Sequence, residues 1–182
     1  MFDNFHQKVA IEVNKKQNSV LKGFLPNWQI ANFQLLYKAS RDGFDQKIYH
    51  QKCDCKGQTL TFLLSKHAKV FGFYISSPRI NYINGGNYQD IIIFQLDQQT
   101  LHRPINQMRI EINNSSIRVK ENNGFGYLGI SVNFYLNEII FSSEQFGNLY
   151  EIPHFVDKKD AESYLGGSSP FKVLEMEVYQ YI

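Results

Sequence analysis

His50, Cys53, Asp54 and Cys55 fall within six positions of one another. On a helix, His50-x-x-Cys53 with the thiol of Cys55 close behind would offer zinc three soft ligands. A closed site needs a fourth, and His67 is the nearest candidate along the chain. The paired Cys-x-x-Cys spacing of structural zinc sites is missing, and adjacent strand ends would have to carry His67 inward. The simpler expectation is Cys53 as a small core residue, His50 as a hydrogen-bonding helix residue and Cys55 at the surface, with no metal or cofactor bound.

Two other arrangements invite a chemical reading. Gly124-Phe125-Gly126-Tyr127-Leu128-Gly129 has the G-x-G-x-x-G spacing that lets a backbone approach a pyrophosphate at a helix N-terminus. The next residues, Ile130-Ser131-Val132-Asn133-Phe134-Tyr135, have strand composition and no helical period, so the helix dipole would be lacking. The Val-Ala-Ile-Lys and His-Arg-Asp segments of a kinase are absent as well. Hydrolytic chemistry finds no Gly-x-Ser-x-Gly elbow and no His-Glu-x-x-His helix. The acids Asp42, Asp54 and Glu177 read as caps, turn residues and edge charges, so an enzyme would need a site assembled only in space.

The elements that must position these residues are mostly short strands. Phe5, Val9 and Val13 recur at intervals of four behind Asn4, a candidate cap for a lead helix within residues 3–18; Asn14-Lys15-Lys16-Gln17-Asn18 ends the pattern. A strand is expected at residues 33–37. Asp42 then caps a short helix that carries Phe44, Ile48, Tyr49 and Cys53 on one face. Strands follow near residues 60, 72, 92, 110, 118, 132 and 139, the first two joined by the polar Ser65-Lys66-His67-Ala68-Lys69. A second helix after Asp157 faces Ala161, Tyr164 and Leu165 inward and stops at Gly166, and a last strand spans Phe171–Tyr181. Many strands with turn punctuation and few helices predict an α+β, mainly β fold: a two-layer antiparallel β-sandwich with a few short flanking helices.

A chain of 182 residues, 43% hydrophobic and 15% aromatic, supports one sizeable core. Its formal charge of +2 is spread along the sequence, which speaks against nucleic acid as a partner. No apolar run reaches the roughly 20 residues needed to cross a bilayer, and the first residues lack the pattern of a signal peptide. Two cysteines one residue apart make no disulfide framework, so a cytoplasmic setting is expected. Abundant Asn and Gln fit the codon bias of a unicellular eukaryote such as a protist.

Several segments, in order, carry a resemblance. Leu35-Leu36-Tyr37-Lys38-Ala39-Ser40-Arg41-Asp42-Gly43-Phe44 is followed by His50-Gln51-Lys52-Cys53-Asp54, Gly57-Gln58-Thr59-Leu60-Thr61 and Val70-Phe71-Gly72-Phe73-Tyr74-Ile75-Ser76-Ser77-Pro78. Later come Phe146-Gly147-Asn148, Tyr164-Leu165-Gly166-Gly167-Ser168 and a closing run from Phe171 to Tyr179. Together they resemble the TLDc domain of oxidation-resistance proteins and of vacuolar proton-pump regulators, across residues 19–182, with residues 1–18 as a lead segment. The resemblance implies a β-sandwich and motif positions at Asp42, Gly43, His50, Cys53, Asp54, Gly57, Gly72, Gly147 and Gly166. In the family a His-Asp pair often precedes the strand where Gly129 here leads straight to Ile130, and Asn commonly stands where this chain has Cys55.

The resemblance implies a module that acts without chemistry, docking onto vacuolar-type proton-pump subunits and protecting against oxidative stress. A structural subunit of a ciliary or axonemal assembly, bound to microtubule-associated proteins, is the alternative, since no companion domain is seen in the sequence. The segments least explained by a core are residues 1–18 and the insert at 81–88, which sets Tyr82 and Tyr88 among turn formers. Arg79, where the family often has an aromatic, would meet an acidic partner bidentately. These three residues are the expected contacts, and removal of residues 1–16 is expected to leave stability almost unchanged.

Overall fold

The computed structural model describes residues 1–76, 91–105, 108–113, 116–121, 127–135, 138–142, 146–153, 157 and 160–182, and within 106–145 it describes backbone only. Arg79, Tyr82 and Tyr88, and the glycines Gly124 and Gly126, lie outside the described residues.

In chain order the elements are α1 (Phe2–Val13), β1 (Phe33–Lys38), α2 (Ala39–Asp42), α3 (Gln46–Cys53), β2 (Thr59–Ser65), β3 (Val70–Ile75), β4 (Ile91–Gln95) and β5 (Thr100–His102). After these come β6 (Met108–Asn113), β7 (Ser116–Glu121), β8 (Tyr127–Tyr135), β9 (Glu138–Ser142), α4 (Phe146–Leu149), α5 (Ala161–Tyr164) and β10 (Phe171–Tyr181). Every strand pairing among the described residues is antiparallel. The fold is mainly β, α+β and sandwich-like, as the pattern predicts. β5 has no signal in the sequence; it is three residues long and too short to show a period.

Hydrogen bonding runs β5-β4-β3-β2-β10-β9-β8-β7-β6, and β1 also pairs with β10. β10 is therefore the hub. One edge of it meets β2, while the other meets β9 through Phe171–Val173 and β1 through Glu177–Tyr181. A bulge between Val173 and Glu175 changes which residues face which side. Phe171 and Val173 enter one core cluster and so do Met176 and Val178, a spacing of three across the bulge where an unbroken strand would keep two.

β2, β3 and β4 are buried at every position because both faces of this part of the sheet are covered. One cluster joins Leu63, Phe71, Phe73, Ile91 and Ile93 to Tyr49, Cys53, Phe146 and Ala161 from the helices and to Leu165 just after α5. The opposite cluster joins Leu60, Phe62, Tyr74, Ile92 and Phe94 to Phe5 and Val9 of α1 and to Leu21, Leu25 and Trp28. Gly72 faces this second side, where the rings of Phe62 and Phe94 lie 5.4 Å apart. A Cβ there would stand 2.0 Å from the Thr61 carbonyl oxygen and 2.5 Å from the Phe94 ring.

The lead segment is thus part of the core. Phe5 is fully buried, and polar contacts from His6, Lys8 and Glu12 pin α1 to Glu177, Asp97 and Ser19 respectively. Its removal at little cost, expected from the sequence, is inconsistent with this packing, because α1 supplies part of the apolar cover for one face of β2 and its neighbours. Asn4 does not cap α1; Met1 occupies that position and makes no side-chain bond.

Candidate functional site

The Arg41-Asp42-Gly43 segment joins β1, α2 and α3. Contrary to the expectation from sequence, Asp42 does not cap α3; Asp45 does, accepting from the Ile48 N–H at 3.1 Å. The chain first completes the turn of α2, so the cap falls three residues later. Asp42 receives four donors instead. Arg41 Nε and Nη2 donate at 2.9 and 2.7 Å, the Lys38 N–H at 3.0 Å and Lys52 Nζ at 3.1 Å. These bonds, Arg41's foremost, hold the Asp42 carboxyl well below the usual carboxylate range. Gly43 has φ +85°, and its carbonyl accepts the Tyr37 hydroxyl at 2.6 Å. Lys38 turns the other way, pairing at 2.8 Å with Glu177, which also accepts the Tyr179 hydroxyl at 2.7 Å.

The residues with metal-binding potential are dispersed. His50 Nδ1 lies 3.0 Å from Asp54 Oδ2, the ordinary i,i+4 pair of a helix end. Cys53 is fully buried in the core cluster, and burial, aided by the charges of Asp54 and Asp42, pushes its thiol far above the ordinary range. Cys55 is exposed, with φ +59°. His67 is elsewhere, 2.9 Å from the Ser168 hydroxyl. No group of three His, Cys, Asp or Glu side chains suited to a metal ion occurs among the described residues. Of the remaining motif glycines, Gly57 has φ +75° in the turn before β2, Gly147 is buried in α4, and Gly166 packs so closely that a Cβ would stand 2.2 Å from the Phe171 ring. Gly129 lies within β8, so no helix follows that glycine-rich segment.

Sequence reasoning missed one polar constellation. His102, 1% exposed, places Nδ1 2.8 Å from the Glu151 carbonyl oxygen and Nε2 3.0 Å from Thr100 Oγ1, which is 2.8 Å from the Tyr164 hydroxyl. A carbonyl can only accept, so the ring proton belongs on Nδ1 and Nε2 receives the Thr100 hydroxyl. The chain of donors then runs Tyr164 to Thr100 to His102 to the Glu151 carbonyl. Burial lowers the imidazole's pKa and keeps it neutral. The arrangement fixes one tautomer and ties α5 and residue 151 to the edge strand β5. Its members are up to 64 residues apart, so no local spacing signals it.

At the surface, two grooves of about 430 and about 440 Å³ share Asn27 and Ile30 as a common wall. Lys15 Nζ donates to the carbonyls of Gln29 and Ala31, both at 2.9 Å, and the N–H groups of Ile30 and Ala31 bond to the Asn27 carbonyl at 3.0 Å. Trp28 anchors the turn from below, 6% exposed and edge-on to Phe33. Ile30 projects from it, 77% exposed.

Compared with known families, residues 9–182 match the model of the TLDc domain. The chain belongs to the TLDc domain family. No curated protein matches it. The match begins inside α1, before residue 19 where the sequence resemblance begins, so this TLDc domain includes the part of the lead segment that carries Val9 and Glu12. Among the described residues no helix of the domain is long and apolar enough to cross a membrane.

Proposed function

We propose that this TLDc domain acts by docking onto protein and not by catalysis, in the cytoplasm, with the catalytic sector of a vacuolar-type proton pump as its partner. Changed pump assembly or activity would be the direct effect, and resistance to oxidative stress the downstream one. Membership of the TLDc family over residues 9–182 is the observation that carries this reading. The side chains with reactive potential support it. Cys53 is buried and protonated, His102 is buried and neutral, and both are committed to holding elements together. The surface meanwhile presents a rigid apolar projection at Ile30.

Affinity purification of the full chain from an extract of its own cells tests the reading. Co-purification of pump subunits is the expected result. Axonemal or microtubule-associated proteins in their place would favour a fixed structural subunit, and recovery of the chain with no protein would overturn an interaction role.

A further inference from the structure

We propose that β6 is the edge at which two copies of this chain join, Met108–Asn113 pairing antiparallel with the same strand of a second copy about a two-fold axis at Ile110. Self-pairing there does not depend on the partner proposed above.

The sheet ends at β5 and at β6, and β1 is joined only to β10, so among the described residues three strands have one side without a strand partner. Two of the three are closed in other ways. Just beyond β5, the Glu151 N–H donates to the Arg103 carbonyl and the Ile105 N–H to the Leu149 carbonyl, both at 2.9 Å. On β1, Asp42 accepts the Lys38 N–H and Arg41 donates to the Leu36 carbonyl. β6 pairs on one side only, with β7, and among the described residues no backbone bond reaches its outer side. An open edge six residues long presents a row of backbone donors and acceptors to another strand.

The order of residues on β6 selects which strand that is. Met108, Ile110 and Ile112 alternate with Arg109 and Glu111, so apolar residues share one face and charged residues the other. Charge guards an edge against its own copies when it has one sign. Here the signs are opposite and two residues apart. Antiparallel pairing centred on Ile110 sets Met108 opposite Ile112 of the second copy and Arg109 opposite Glu111 of the second copy, each twice by symmetry. Centred on Arg109 or on Glu111, the same pairing would set like charges opposite one another. Centred between two residues, it would set apolar residues opposite charged ones. Only one register satisfies every position.

The chain's own hairpin adds a reason for the second copy. Its register places Arg109 opposite Lys120, a like charge, and Glu111 opposite Arg118. A second copy supplies Arg109 with the acid that β7 does not offer, and the apolar row that pairs Val119 with Ile110 continues into Ile110 of the second copy. A strand from a different protein would need an acid and a base at matching positions, whereas β6 supplies both to itself. Two-fold pairing also uses the open side of both copies, so the product is a closed dimer and not a filament.

Sedimentation equilibrium of the full chain tests the proposal, and a reversible dimer is expected. Arg109→Glu and Glu111→Arg each set like charges opposite one another, so each variant alone should dimerise at least tenfold more weakly. An equimolar mixture of the two should recover dimer as a heterodimer, because each chain then carries the charge the other lacks. The wild type provides a second readout, in which amide exchange of β6 slows as protein concentration rises while that of β1 and β5 does not change. A chain that stays monomeric at every soluble concentration would overturn the proposal. So would a dimer that both single variants leave intact, a mixture that stays monomeric although both variants melt like the wild type, or concentration-dependent protection at β1 or β5 in place of β6.

Discussion

Ser19 donates its hydroxyl hydrogen to the Glu12 carboxylate at 2.5 Å, and the same carboxylate accepts the N–H groups of Val20 at 3.0 Å and Leu21 at 3.2 Å. Glu12 is 2% exposed, so three donors converge on one buried side chain of α1. This bond set fastens the lead helix to the segment that continues to Trp28.

Glu12→Ala should therefore destabilise the protein by about 1–3 kcal/mol, the cost of leaving buried donors unsatisfied. Deleting residues 1–16 should cost more, since Phe5 and Val9 take with them part of the apolar cover over one face of the sheet. Thermal melts decide both. A truncated chain that melts with the full-length one would show that α1 contributes nothing to the core.

Asp42→Ala should cost about 1.5–3 kcal/mol near neutral pH, because a charged acceptor of four bonds is lost. Its folded-state pKa lies below the unfolded value, so the contribution is fully present above the ordinary carboxylate pKa of about 4 and is lost as pH falls through and below it. Denaturant titrations at pH 7 and pH 3 should show the gap between wild type and variant narrowed, though not closed, at the acid end. A constant difference would mean that Asp42 acts through its shape alone.

His102 predicts a second pH dependence. Its folded pKa is depressed, so its contribution is present above the unfolded value of about 6.5 and lost as pH falls below it. In His102→Gln the gap from wild type should be widest near pH 8 and should narrow by pH 5. A gap that stayed constant across that range would mean that a neutral imidazole is not what holds α5 to β5.

The two thiols should differ sharply. At pH 7.5 a disulfide reagent should titrate Cys55 quickly and reach Cys53 only after denaturant is added, because one is exposed and the other buried with its thiol protonated. Cys55→Gly should be neutral or stabilising, since glycine adopts φ +59° without strain. Elemental analysis after dialysis against a chelator should find no stoichiometric zinc, and the melt should not move. One retained zinc per chain would mean that His50 and the cysteines rearrange to bind it.

Local pattern was enough to determine the longer elements and the family, while the short α2, β5 and α4 escaped it. Alternating or continuous apolar runs mark β2, β3 and β4, the Arg41-Asp42-Gly43 and Phe73-Tyr74-Ile75 segments carry the resemblance, and Gly43 has the positive φ that its place in a turn implies. These signals are short-range, set by side-chain period and by the backbone freedom of one residue. Tertiary structure decided what no spacing encodes. It turned Phe5 and Val9 from a marginal lead helix into core, because a helix short on its own becomes stable when the sheet takes up its apolar face. The cap moved from Asp42 to Asp45, and Asp42 became the meeting point of Arg41, Lys38 and Lys52, which depends on how β1 and α3 come together. His102, Thr100 and Tyr164 met across 64 residues. Ile30 was left outside because Lys15 and Asn27 fix its turn, whereas hydrophobicity alone would have placed it within.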